Sequence, residues 1–168
     1  MSNKCLVIVD MQNGFINKNT EHLIDKIKKY IEINNIKDVV ATRYINNKGT
    51  ACYKFENWTR CMEGTDDVEI VSELKPYIKR TFDKSVYSCW NLQFKDFLVK
   101  NGYDKLSFVG VNTGCCVLHS AFDAYNDLMD CEVLTDLCGS TSGESSHKAA
   151  IQILSECITK ERVHKAFD

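Results

Sequence analysis

The chain has 168 residues, 44% of them hydrophobic, with 21 Lys and Arg against 23 Asp and Glu and a formal net charge of −2. That is the length of one domain, 1–168, and enough to bury a core without staples. Balanced charge argues against a nucleic-acid surface, and nine Cys with four His and no C-x-x-C pair argue against a structural zinc site.

The N-terminal apolar run CLVIV, Cys5 to Val9, is cut by Asp10. It is too short for a membrane span or a signal peptide. The odd cysteine count then points to reduced thiols and a cytoplasmic protein. The run itself predicts a strand buried on both faces, as in a parallel sheet.

TEHLIDKIKKYIEINN follows, with Leu23, Ile24, Ile27, Tyr30 and Ile31 on one helical face. Thr20 is the expected N-cap. DVVATRY predicts a second strand. From Ile45 to Asp67 the chain is polar and irregular, which marks a pocket wall or lid rather than a spacer. A short strand is expected over Arg80 to Asp83, then a helix in QFKDFLVKNG that stops at Gly102. KLSFVGV predicts a buried strand, Cys116 to Leu128 a helix, CEVLTD a strand, SSHKAAIQILSEC a helix, and RVHKAF a last short strand.

The alternation predicts an α/β fold of three αβα layers on a mostly parallel sheet. Ligands of such sheets bind at the carboxyl ends of the strands. Asp10, Lys84 and the adjacent thiols Cys115 and Cys116 fall at such ends. An ionised carboxylate at a strand mouth needs a cation or donors, and Lys84 is a suitable partner. A thiol in the first turn of a helix opened by Thr113 and Gly114 would have its pKa lowered by the helix terminus. With backbone N–H groups beside it, such a thiolate can carry out acyl transfer. The alternative is two small core residues at a strand-to-helix turn.

Three blocks carry a resemblance: VDMQNGF, FDKSVYSCW and GVNTGCCVLHSAFDA. In this order and spacing the chain resembles the isochorismatase-like cysteine hydrolases, which include nicotinamidases and N-carbamoylsarcosine amidohydrolases. The resemblance runs from about Cys5 to Val163 and implies a Rossmann-like sheet of about six strands. It implies a triad of Asp10, Lys84 and Cys116, since the family nucleophile stands three residues after the threonine and just before a valine. Asp10 would be the general base and Lys84 the partner of the thiolate. A non-proline cis peptide would join Val111 to Asn112, and the backbone N–H groups of Asn112 and Cys116 would form the oxyanion hole. The reaction implied is cleavage of a small carboxamide or carbamoyl C–N bond through a Cys116 thioester. By the same analogy Phe15, Trp58 and Trp90 line the substrate pocket, while Asp136 and His147, near the sheet's edge, are structural or interface residues. Family members commonly form homo-oligomers, so the resemblance implies a homo-oligomer here.

The departures are equally specific. Nicotinamidases hold a divalent metal on an aspartate and histidines, where this chain aligns Tyr44, Asn46 and Cys61. The reading is therefore no metal and no other cofactor, with a small-molecule substrate, no nucleic-acid partner and no membrane partner. The family's Gln-Asn-Asp reads Gln12-Asn13-Gly14 here. The rival function is a thiol redox sensor using Cys115 and Cys116. A nucleotide-binding module would want a G-x-G-x-x-G or Walker-type loop after the first strand, and VDMQNGF is neither.

Overall fold

A computed structural model describes residues 3–167. Its strands are β1 (Lys4–Val9), β2 (Val39–Tyr44), β3 (Arg80–Lys84), β4 (Lys105–Val111), β5 (Asp130–Gly139) and β6 (Val163–His164). They form one sheet in the order β3-β2-β1-β4-β5-β6, with every pairing parallel. The helices are α1 (His22–Ile33), α2 (Ala51–Glu56), α3 (Leu92–Asn101), α4 (Leu118–Asn126) and α5 (Glu144–Cys157).

Strand β1 explains why its sequence reads as an unbroken apolar run. Cys5, Val7 and Val9 face one core with Phe82, Phe94, Phe108, Val117 and Ala121. Leu6 and Ile8 face the other core with Leu23, Ile27, Ile31, Leu134 and Leu137. Both faces are dry from Cys5 to Val9, so none of those positions tolerates a charge, and the charged residues Lys4 and Asp10 stand at either end. Helix α1 lies on the second face, and α3 and α4 lie on the first.

Chain direction then fixes where a ligand can enter. From β1 the chain moves through α1 outward to β2, and from β4 through α4 outward in the opposite sense to β5. The adjacent carboxyl ends of β1 and β4 therefore open a crevice at the topological switch point. The two strands approach closely there. A Cβ on Gly110 (φ +111°) would lie 2.2 Å from the Val9 carbonyl oxygen, so only glycine fits.

Four expectations are adjusted. Thr20 does not cap α1: its hydroxyl donates to the Phe15 carbonyl at 2.7 Å and accepts from the Asn17 N–H at 2.9 Å. It closes the turn before the helix, whose N-cap position is Glu21. The polar segment after β2 contains α2, because the Thr50 side chain accepts from the Tyr53 N–H and Asn57 ends the turn in the left-handed region. Strand β5 runs on to Gly139, pairing past a bulge with Gly110 and Val111. Strand β6 is only two residues long. No helix among the described residues is long and apolar enough to cross a membrane.

Candidate active site

Asp10, Lys84 and Cys116 come from the ends of β1 and β3 and from the turn after β4. The structure brings all three together. The Lys84 Nζ donates to Asp10 Oδ2 at 2.7 Å, to Cys116 Sγ at 3.3 Å and to the Val86 carbonyl at 3.3 Å. Both charged side chains are closed to solvent, at 1% and 0% exposure. Asp10 takes φ +49°, in the left-handed region, where β1 ends. Its other oxygen accepts from the Thr42 hydroxyl at 2.6 Å, and that hydroxyl accepts from the Asp10 N–H at 3.2 Å.

Cys116 sits in a wide π-helical turn, Thr113–Val117, that leads into α4. The Val117 N–H reaches back to the Asn112 carbonyl at 3.3 Å, five residues earlier. The peptide between Val111 and Asn112 is cis. The Asn112 side chain accepts from the Thr141 N–H at 2.7 Å, tying this turn to the loop after β5. Behind the turn the Thr113 hydroxyl donates to the Gly139 carbonyl at 3.0 Å and contacts His147 Nδ1 at 2.8 Å. Asp136 is likewise structural: it accepts from the N–H groups of Ala166 and Phe167.

The charge state of the thiol differs from the sequence expectation. Burial pushes the Cys116 thiol well above the ordinary cysteine value, the Asp10 carboxylate adds to this, and Lys84 opposes both. The helix terminus does not decide the matter, because the sulfur is almost fully desolvated beside an anion. Burial also works against the charge on Lys84. The attraction of Asp10 and of the sulfur outweighs it and raises the ammonium above the lysine range. Both shifts favour a protonated thiol beside the Lys84 ammonium.

Of the three, Cys116 lines a cleft of about 430 Å³, with Asp10 and Lys84 buried behind it. Asn112, Cys115 and Cys116 line one side and Phe15, Tyr44, Trp58 and Tyr87 line others. Phe15 and Trp58 were expected there and stack on each other at 5.5 Å. Trp90 was also expected there and is not among the lining residues. Its indole N–H donates to Asp127 at 2.8 Å and its ring packs edge-on against Phe94, so it serves the contact between α3 and α4. The segment after β2 forms a wall, with Cys52, Glu56, Trp58 and Arg60 on the cleft.

The sequence matches the isochorismatase domain family over residues 4–162. The chain belongs to that family. No curated protein sequence matches it significantly. Among solved structures, an isochorismatase-like hydrolase from Alkaliphilus metalliredigens superposes with a TM-score of 0.85 at 21% identity, covering 98% of this chain and 96% of the other. An N-carbamoylsarcosine amidase from Thermoplasma acidophilum gives 0.84 at 21%, covering 100% and 98%. A nicotinamidase from Bacillus subtilis gives 0.79 at 20%, covering 97% and 99%. At these identities the likeness establishes the shared fold.

The metal of nicotinamidases does not fit the residues this isochorismatase-family chain has in its place. The Asn46 carboxamide donates to the carbonyls of Trp58 at 2.8 Å and Arg60 at 3.0 Å and accepts from Thr50. Tyr44 lies under the Lys84 ammonium, 5.4 Å from ring centroid to nitrogen. Burial, with Asp67 nearby, pushes the Cys61 thiol up to about 12, and its sulfur donates to the Asp67 carbonyl at 3.6 Å. Among the described residues no cluster of three or more His, Cys, Asp or Glu is placed to hold a metal ion. The Gly14 departure has a local cause: a Cβ there would lie 2.4 Å from the Cys61 sulfur.

Sequence reasoning missed Thr42 and Gln12. Gln12 is fully buried, donates to the carbonyls of Tyr44 and Val68 and accepts from the Tyr44 N–H, clamping the end of β2 to the wall segment. The available signal was polarity inside apolar runs: a buried amide or hydroxyl must find partners.

Proposed function

We propose that this protein is a single-domain cysteine hydrolase that cleaves the C–N bond of a small carboxamide or carbamoyl compound. Cys116 is the nucleophile, Asp10 the general base and Lys84 the cation that holds the thiolate. The observation that carries this reading is the buried chain from Asp10 Oδ2 through Lys84 Nζ to Cys116 Sγ, at 2.7 and 3.3 Å, whose sulfur end lines an open cleft.

The chemistry follows from the resting charges. Cys116 gives its proton to Asp10 as the sulfur attacks the carbonyl carbon, and Lys84 stays charged beside the thiolate. The carbonyl oxygen becomes an oxyanion held by the backbone N–H groups of Asn112 and Cys116. The C–N bond then breaks, and Asp10 returns the proton to the departing nitrogen. Ammonia or an amine leaves, and the acyl group remains on sulfur as a thioester. Water gives a proton to Asp10 and attacks the thioester carbon. The C–S bond breaks, the acid leaves, and the sulfur recovers its proton. Thr42 keeps one oxygen of Asp10 engaged throughout, leaving the other side of the carboxylate to shuttle protons.

A redox sensor built on the adjacent thiols finds less support. Burial pushes the Cys115 thiol up as well as that of Cys116, and sensor cysteines need accessible thiolates. The deciding experiment is a screen of small amides, ureido acids and carbamoyl compounds for ammonia release, beside intact-mass detection of an acyl adduct. Turnover with an adduct mapped to Cys116 is the expected result. Ammonia release that survives Cys116→Ala would sink the proposal.

A further inference from the structure

The proposed hydrolase reading leaves the substrate's character open, and the inference here rests on that reading and narrows it. Two charged residues line the catalytic cleft, Glu56 and Arg60. They differ in what they already hold. Arg60 forks onto Asp67, Nε to Oδ2 at 2.6 Å and a terminal nitrogen to Oδ1 at 2.9 Å, so its charge is matched and its flat edge engaged. Lys84, buried behind Cys116, is matched by Asp10 in the same way. Glu56 has no ion pair among the described residues. Its one polar contact is a long one, from the Tyr87 hydroxyl at 3.5 Å.

The cleft therefore carries one unmatched charge, and it is negative. Glu56 is at the end of α2, with its carboxylate exposed to solvent at the cleft wall. Its field reaches inward: it helps to raise the hydroxyl of Tyr87 and the thiol of Cys115, both on the cleft. Four aromatic side chains line the same cleft as Glu56 and Cys116. Phe15 and Trp58 are stacked at 5.5 Å, Tyr44 lies 6.0 Å from Trp58, and Tyr87 borders Cys52. Ring faces carry partial negative charge and attract cations, and a neighbouring carboxylate adds to that attraction.

We infer that the cleft selects a small amide that carries a positive charge, an ammonium or quaternary ammonium group seated against the aromatic walls and facing Glu56. Glu56 is then a specificity residue, remote from the bond that breaks. A substrate whose far end is a carboxylate would meet repulsion from Glu56 with no unmatched cation to offset it.

Equilibrium binding to the Cys116→Ala variant tests this without requiring turnover, read by quenching of tryptophan fluorescence or by calorimetry. The probes are trimethylammonioacetamide, its neutral isostere 3,3-dimethylbutanamide, and the anionic succinamate. The expected result is at least tenfold tighter binding of the cation than of the isostere, with succinamate weakest. Adding Glu56→Gln should collapse that ratio to near one. Equal binding of cation and isostere, tightest binding of succinamate, or a ratio unmoved by Glu56→Gln would each overturn the inference. Selective cation binding in a protein that hydrolyses no amide would sink the hydrolase reading and leave the cation site standing.

Discussion

Each end of the sheet buries a carboxylate against lysine, and the two ends use the pairing differently. At the amino end Glu132, near the start of β5, meets Lys4 at 2.7 Å, Lys105 at 2.9 Å and the Ser107 hydroxyl at 2.8 Å. Burial pushes its carboxyl up, but those three donors outweigh it and hold the pKa at about 2. The lysine side chains are 37% and 30% exposed, so they stay hydrated while they neutralise it. At the carboxyl end Asp10 has one lysine, itself 1% exposed, and one hydroxyl. The lysine is shared with a protonated thiol that faces a cleft. The first carboxylate is saturated and inert. The second stands beside the thiol proposed as nucleophile, an arrangement that would serve chemistry better than stability.

The strongest way to break this contrast is to remove the proposed nucleophile. Cys116→Ala should lower turnover at least ~10⁴-fold with the thermal midpoint little changed. Cys115→Ala should keep most of the activity. Equal losses measured by ammonia release would mean that the wrong thiol has been assigned.

Next is removal of both charges at the active end. Asp10→Asn with Lys84→Met leaves no unpaired buried ion, so unfolding in urea should shift by no more than about 1–2 kcal/mol. Turnover should fall at least ~10³-fold, the scale of a lost general base. A double variant that hydrolyses normally removes the pair from the mechanism.

The mirror experiment is Glu132→Gln. It should leave kcat/KM intact and cost about 2 kcal/mol at neutral pH, allowing for the partly hydrated lysines. Because the folded-state pKa lies below the unfolded one, this contribution is complete above the unfolded glutamate value of about 4.3. It is lost as the pH falls towards 2. Unfolding free energies measured between pH 5 and 2 should fall less steeply in the variant. Identical slopes would show that Glu132 titrates alike in both states.

Two smaller effects sharpen the active end. Thr42→Val removes the hydroxyl that orients Asp10 and should lower kcat about tenfold with KM nearly unchanged, and Thr42→Ser should restore it. A loss that Ser does not rescue would mark a packing effect instead. In the intact protein, alkylation of Cys116 by iodoacetamide should rise only above the ordinary cysteine range. Lys84→Met should move that profile to still higher pH, because Lys84 opposes the other influences on the thiol. An unmoved profile would separate the lysine from the sulfur.

Much of this was legible in one dimension. Unbroken apolar runs such as CLVIV and KLSFVG can be satisfied only by strands covered on both faces, and their alternation with helical spacing implies parallel pairing. The polar residues that end those runs, Asp10 and the turn bearing Cys116, therefore had to gather at one edge of the sheet. The three motif blocks singled out Cys116 over Cys115. Trp90 shows where this reasoning stops. Its position in a motif block gave no indication that Asp127 and Phe94 would draw the ring away from the cleft.

What the sequence determined by itself is the sheet, its direction and the strand ends where Asp10, Lys84 and Cys116 gather, because periodicity and burial are properties of the chain's own order. The tertiary structure alone decided the charge state of the site. Whether Cys116 rests as thiol or thiolate depends on its desolvation and on the competition between Asp10 and Lys84. Those quantities exist only once residues 74 and 32 positions apart lie within hydrogen-bonding reach. The same is true of Glu56, whose charge matters because Arg60 and Lys84 have found partners and it has not.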